Sequence, residues 1–219
     1  MSIGRCLPAE ILALMIELLT FLAKRVFSIG GPHGYSVPLE DLFAELSGKR
    51  IAIVGNSRAL EASDYGTSID QAEIIIRINR APMPTTLSHG SKTNWLALAT
   101  RLPQSDFERI KAERILWMSP KRKRLSFRLA KSDGFYLFPL AGVESLRGIL
   151  HAPPTTGLMI IDLVARSDAT SISLYGFDFF ASLSLTGSRT AKQVPHDFAA
   201  EQNWVSGLID SDPRVKQYT

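Results

Sequence analysis

The chemistry legible in this sequence rests on one histidine and a set of asparagines, hydroxyls and glycines at places where apolar runs end. His196 opens the stretch HDFAAE, with Glu201 five residues further on. Imidazole as a class titrates close to neutrality, which suits a general base taking a proton from a hydroxyl. The competing reading is an ordinary histidine opening a helix. A residue at i+5 lies about 500° around an ideal helix, so Glu201 does not stack on the imidazole. It reads as a brace for the helix or a neighbouring loop. Asp197 reads as a first-turn acid favoured by the helix dipole.

Three further stretches look suited to an anion. Gly55-Asn56-Ser57 follows the β-branched run RIAIV. Glycine there lets a ligand approach the backbone, and a following helix start offers free N–H groups. Asn79 ends a second run, EIIIRIN, so two asparagines are expected to converge on one crevice. Thr155-Thr156-Gly157 opens a strongly apolar helix, where hydroxyls and N–H groups cap the helix or hold a phosphate or carboxylate. Tyr175-Gly176-Phe177 ends another apolar run. Neither GxGxxG nor a Walker loop is present, so a dinucleotide site is not expected. The DSD at 210–212 matches an Asp-x-Asp metal motif, but it lies beyond the last helical pattern and reads as a helix C-terminal turn.

Composition sets the frame for these residues. The 219 residues, 45% of them apolar and 21% charged, suit one globular domain, with or without a small appendage. The net charge of +4 favours anionic partners: nucleotides, anionic lipid, acidic glycans or nucleic acid. The single cysteine, Cys6, permits no intramolecular disulfide and suits a reducing, cytoplasmic compartment. The four histidines show no zinc spacing, so chemistry without a tightly held metal is expected.

From Lys49 onward, strand-like and helix-like stretches alternate. Strands are expected at 50–55, 73–79, 93–100, 113–119, 134–140 and 171–180; their apolar residues run on rather than alternate, as in strands covered on both faces. Helices are expected at 57–65, 155–167 and 195–209. The fold class is therefore α/β: a single Rossmann-like domain with a mainly parallel sheet flanked by helices, spanning 49–219. Residues 1–30 form an N-terminal apolar or amphipathic helix, and 31–48, with SIGGPHGYSVP, read as a linker. The helix is not a clean span. Glu10, Glu17 and Lys24 interrupt it, and its longest apolar run, Ile11 to Ile16, is far short of the roughly 18 to 20 residues required. It reads first as a packing helix, then as a helix in peripheral contact with the inner face of a membrane through residues 8–27. The basic stretch PKRKRLSFRLAK (120–131) reads as a solvated loop leading into a helix. Without an aromatic ladder or RNP-like motif beside it, nucleic acid is not an expected partner.

Taken in order, these segments resemble one family. VGNSRAL to HGSKTN resembles the large sialylmotif of glycosyltransferase family 29, the sialyltransferases, matching at Gly55-Asn56-Ser57, Gly66, Asp70, Arg77, Asn79, Gly90, Lys92 and Thr93. PTTGLMIID to SLYGF resembles the small sialylmotif, and HDFAAE the very small His-x4-Glu motif. The resemblance implies a GT-A-variant domain and inverting, metal-independent transfer of sialic acid, or a related 2-keto sugar acid, from a CMP-sugar donor. The acceptor is a glycan or glycolipid, and no cofactor is needed. It gives donor-nucleotide contacts to Gly55, Asn56, Ser57, Asn79, Thr155, Thr156 and Gly157. It makes His196 the base, with Glu201, Tyr175 and Gly176 in support and no metal ligand. A further family motif, carrying histidine or tyrosine, has no counterpart in ASLSLTGSRTAKQVP (181–195), where Ser188, Arg189 or Lys192 would have to stand in electrostatically. That gap supports a second reading, a non-catalytic CMP-sugar or glycan-binding remnant of the same fold.

Overall fold

β-Branched and aromatic runs, each closed by a polar or glycine-containing turn, build a seven-stranded sheet. The computed structural model describes residues 8–27, 34–179 and 194–218. The strands are β1 (Arg50–Val54), β2 (Ile74–Ile78), β3 (Trp95–Leu98), β4 (Arg114–Trp117), β5 (Tyr136–Leu137), β6 (Ser171–Tyr175) and β7 (Val215–Tyr218). Their order is β5-β4-β3-β2-β1-β6-β7, and every neighbouring pair is parallel. The chain steps outward from β1 to β5, then returns past β1 to lay β6 on its other side. The β1–β6 boundary is therefore the topological switch point, where open α/β sheets bind ligands beyond the strand C-termini.

The sheet is covered on both faces, as the unbroken apolar runs imply. Ile51, Ile53, Ile76, Trp95, Leu116, Ile172 and Leu174 point to one face. They pack under α2 (Leu39–Leu46), α7 (Leu140–Leu150), α8 (Thr156–Ala165) and α9 (Phe198–Ser211). α8 is buried almost all round, so it needs no polar face. The opposite face carries two apolar clusters. One joins β1, β2 and β6 to the 3-10 turn Arg58–Ala62 and α3 (Gly66–Asp70). The other joins β3, β4 and β5 to α5 (Gln104–Ile110), α6 (Phe127–Ala130) and Phe21 of α1 (Ala9–Phe27).

Arg77 lies on this second face, fully buried. Its Nε donates to the Lys92 carbonyl at 2.9 Å and to Thr93 Oγ1 at 3.0 Å, and Nη2 donates to the His89 carbonyl at 2.6 Å. Burial draws its pKa down to about 10. Next to it, Asp70 accepts from the backbone N–H groups of Ser91 (2.8 Å) and Lys92 (3.0 Å) and from Ser91 Oγ (2.9 Å). Gly90, at φ +67°, packs against that carboxylate, and a Cβ on Gly66 would lie 1.8 Å from the Thr86 carbonyl oxygen. Gly66, Asp70, Arg77, Gly90, Lys92 and Thr93, matched above as motif positions, thus form one clamp that ties α3, β2 and α4 (Thr86–His89) together.

Three expectations change. Residues 39–46, read as part of a linker, form α2, and Leu42 and Leu46 are fully buried in the main core. Val37 N–H also bonds the Phe135 carbonyl at 2.8 Å, so the domain begins before residue 49. The helix expected at 57–65 is a five-residue 3-10 turn followed by the separate α3. β7 was not expected, because it is an edge strand in which only Val215 is buried.

α1 forms as expected. Phe21, 1% exposed, docks against Tyr35 and Phe127, and Lys131 pairs with Glu17 at 2.8 Å. Among the described residues no helix is long and apolar enough to cross a membrane.

Candidate active site

The residues singled out from the sequence converge on the C-terminal ends of β1, β2 and β6. Gly55 N–H donates to the Tyr175 carbonyl at 2.7 Å, and Ser57 N–H to the Gly176 carbonyl at 3.2 Å. The two strand ends thereby run together across the switch point. A Cβ on Gly55 would lie 2.3 Å from the Gly176 oxygen, so only glycine fits. Ser57 caps the 3-10 turn, accepting from Ala59 N–H at 3.1 Å while its hydroxyl donates to Asp178 Oδ2 at 2.7 Å.

The two asparagines do meet at one crevice. Asn56 Nδ2 donates to the Ile78 carbonyl at 3.2 Å, directly before Asn79. Asn79 sits at φ 55°, a left-handed conformation that asparagine tolerates better than most residues. Its Oδ1 accepts from Ala99 N–H at 3.0 Å, and its own N–H donates to the Ala97 carbonyl at 2.8 Å. Ala81 is also left-handed, at φ 44°. Two such residues so close together mark a loop whose strain the surrounding bonds sustain.

α8 closes the crevice from the side. A Cβ on Gly157 would lie 2.9 Å from the Phe177 ring and 3.6 Å from Ile78 Cδ1, so the start of α8 abuts the ends of both β6 and β2. The first N–H groups of a helix have no intrahelical partner, so Thr156 and Gly157 present anion-binding donors there. Thr155 is different. Its N–H donates to Glu201 Oε1 and its hydroxyl to Glu201 Oε2, both at 2.7 Å, and Oγ1 accepts from Leu158 N–H at 3.1 Å. Thr155, read from the sequence as a nucleotide contact, spends both hydrogens on Glu201 and instead fixes where α8 begins.

His196 is half-buried and lies just before α9, not on it; Asp197 is the N-cap, accepting from Ala200 N–H at 2.9 Å, rather than a first-turn acid. His196 Nδ1 lies 2.7 Å from the Pro153 carbonyl. A carbonyl only accepts, so Nδ1 carries the hydrogen and neutral His196 keeps its lone pair on Nε2. Glu201 is 2% exposed and does brace a neighbouring loop, the turn at Pro153–Thr155. Burial pushes its pKa up to about 7, against the lowering effect of the two Thr155 bonds; the Asp197 charge adds to the rise.

Tyr175 plays a packing part. Its ring is buried and stacks on Tyr218 at 4.7 Å between centroids. Asp178 was missed, although GFDFF puts a carboxylate directly after a strand end at the switch point. The Pro153 carbonyl, a backbone group, has no signal in sequence. The stand-ins Ser188, Arg189 and Lys192 lie outside the described residues. Asp212 of the DSD stretch pairs with Arg214 at 2.7 Å at the end of α9, so that stretch is a helix terminus. Among the described residues no group of three or more His, Cys, Asp or Glu side chains is placed to hold a metal ion.

Residues 30–137 match the family model "Glycosyltransferase family 29 (sialyltransferase)". Several solved structures share the fold. A mammalian sialyltransferase in complex with Gal-beta-1-3GalNAc-ortho-nitrophenol aligns at 21% identity and TM-score 0.58, over 84% of this chain and 73% of that one. A second mammalian sialyltransferase structure aligns at 19% and 0.57, over 84% and 79%. CstII from Campylobacter jejuni, in complex with cytidine-5'-monophosphate, aligns at 14% and 0.52, over 78% and 79%. No curated protein matches the chain in sequence. The chain is a glycosyltransferase. More particularly, the family that its residues 30–137 match is glycosyltransferase family 29, the sialyltransferases. The family match ends before α8, so the segments around Thr155 and His196 lie beyond it.

Proposed function

We propose that this chain transfers sialic acid, or a related 2-keto sugar acid, from a CMP-activated donor to a glycan or glycolipid hydroxyl, with inversion and without a metal ion. The observation that carries the reading is His196: a half-buried imidazole beside the switch-point crevice, with Nδ1 committed to Pro153 and Nε2 left as a base. Asn56, Asn79 and Ser57 line the nucleotide end of the crevice, and Gly55 lets the ends of β1 and β6 close up beside them. In the reaction, His196 Nε2 takes the acceptor hydroxyl's proton as that oxygen bonds the sugar's anomeric carbon. The bond from that carbon to the phosphate oxygen breaks, and its electron pair leaves with CMP. Attack in line with the departing group inverts the centre. The N–H groups of Thr156 and Gly157 stabilise the charge growing on the phosphate.

CMP binds in this reading with low-micromolar to millimolar affinity that EDTA leaves unchanged, as read by isothermal titration. Titration without any CMP or CTP binding refutes it. Incubation with CMP-sialic acid and CMP-Kdo, followed by product mass, identifies the sugar. H196A abolishes turnover while CMP affinity stays within about threefold, since the imidazole acts on the acceptor side. Equal loss of both makes His196 structural, and CMP binding with neither transfer nor donor hydrolysis marks a non-catalytic binding domain.

The reading includes peripheral membrane contact through residues 8–27. Ile11, Leu12, Leu14, Met15, Ile16 and Leu19 of α1 are 45 to 62% exposed. The adjoining 3-10 turn Arg122–Arg124 and the residue before it present exposed Lys121, Lys123 and Arg124. Apolar side chains beside basic ones suit an anionic lipid surface.

A further inference from the structure

Glu201 has no charged partner among the described ion pairs, yet it is nearly inaccessible to water. A carboxylate is costly to bury and persists where hydrogen-bond donors meet it. Here both donors come from one residue. Thr155 gives its N–H to one oxygen and its hydroxyl to the other. Two residues back along the same turn, the Pro153 carbonyl receives His196 Nδ1–H. Only Pro154 separates Thr155 from Pro153, and proline fixes its own φ near −65°. The segment between Glu201's two bonds and the Pro153 carbonyl is therefore stiff, and a shift at Thr155 reaches Pro153 instead of being absorbed.

We propose that Glu201 is a positioning residue for His196, acting through the Pro153–Thr155 turn: by holding Thr155 it aims the Pro153 carbonyl at Nδ1 and so sets the tautomer that leaves Nε2 unprotonated. The inference rests on His196 being the base. It adds that the base is prepared by a residue that never touches it, which gives the His-x4-Glu spacing a physical purpose. The two ends of the spacing grip one turn, Glu201 from within α9 and His196 from just before it. Released from the carbonyl, imidazole reverts toward its ordinary preference for Nε2–H, which has no lone pair to offer the acceptor.

The test is nitrogen-15 NMR of the histidine side chains well above neutral pH, with His196 assigned by its absence in H196A. The wild type shows the Nδ1–H tautomer. E201Q replaces one acceptor oxygen with an NH2 group facing a Thr155 donor. It moves His196 toward Nε2–H and lowers kcat about tenfold or more, while KM for the donor and CMP affinity change by less than about twofold. If E201Q does not fold, T155V removes the hydroxyl link to Glu201, together with the N-cap bond from Leu158 N–H, keeps the backbone link, and shifts the same signals in the same direction. T155S keeps both donors and preserves the wild-type spectrum and kcat. A folded E201Q or T155V with an unchanged tautomer overturns the proposal, as does a changed tautomer with unchanged kcat. A wild type that turns over no CMP-sugar sinks the functional reading, while the spectrum still judges whether Glu201 orients His196.

Discussion

Glu201 makes stability depend on pH in a direction opposite to that of most carboxylates. Its pKa is about 7 in the folded chain, against a reference value of 4.5, because burial disfavours the anion more than Thr155 favours it; Asp197 pushes in the same direction as burial. Between those values the folded chain holds a proton that the unfolded chain has released. Stability from this group is therefore full below about pH 4.5, falls as pH rises through the window, and is level above about 7. Urea midpoints of wild type and E201Q compared across that window show the slope in the wild type only; parallel curves refute it. Asp70 behaves in the opposite way. Burial raises its pKa, but the Lys92 and Ser91 bonds outweigh burial and hold it below the ordinary range, so its contribution is lost in acid. At this scale the sequence exposed the residue types but not their partners. His196 and Glu201 are visible as a spacing, whereas the Pro153 carbonyl joining them is backbone. Asn79 is visible as an asparagine, but its left-handed φ and its bond to Ala99 depend on where β3 ends.

The site depends on how closely whole elements approach, and glycine marks where. G55A would set a Cβ 2.3 Å from the Gly176 oxygen, which neither strand end can yield without breaking the Gly55–Tyr175 and Ser57–Gly176 bonds. It lowers stability by about 2 kcal/mol or more and weakens CMP binding about tenfold, read by urea denaturation and titration. Gly148, within α7 and with nothing within 4 Å of a Cβ, is the control. G148A gains about 0.5 to 1 kcal/mol and leaves CMP affinity unchanged. Element by element, β1 to β6 were legible because they are buried on both faces and therefore run apolar. The long apolar α8 was legible for the same reason. β7 was hidden by its exposed edge, with one buried residue. α2 was hidden because the preceding SIGGPHGYSVP suggested a linker, although Leu39, Leu42 and Leu46 recur at helical spacing. α3 and α4 are four or five residues long, too short for periodicity; the Asp70 and Arg77 clamp fixes them where propensity does not.

Over the whole molecule, α1 is fastened around Phe21 and Leu22 and, among its described side chains, open along its N-terminal half. Phe21 is enclosed, while Ile11 to Ile16 are exposed all round. The Glu17–Lys131 pair is itself more than a third exposed and adds little. Vesicles containing anionic lipid therefore sediment with the full chain, and neutral phosphatidylcholine vesicles bind it more weakly. K121E/K123E/R124E reduces the difference by about tenfold or more, since each basic residue near such a surface contributes about 1 kcal/mol. Equal binding to both vesicle types removes the electrostatic part, and self-association without lipid binding assigns the helix to a second copy. The all-parallel architecture was legible from strand–helix alternation, but the strand order was not: nothing local in β6 says that it returns to the far side of β1.

That return carries a cost during synthesis. β1 has β2 as a neighbour as soon as residue 78 is made, but the partner of Arg50 on the other side is Ser171. Until β6 emerges from the ribosome, a central strand of the finished sheet, Ile51 to Val54, stands at an open edge of an incomplete one. An edge of that kind templates pairing with other chains, and non-local parallel contacts form slowly. The strand boundary proposed to hold the nucleotide is thus a seam closed late, with only β7 still to be added beyond β6, and the one through which a crowded, newly made population of this protein would aggregate.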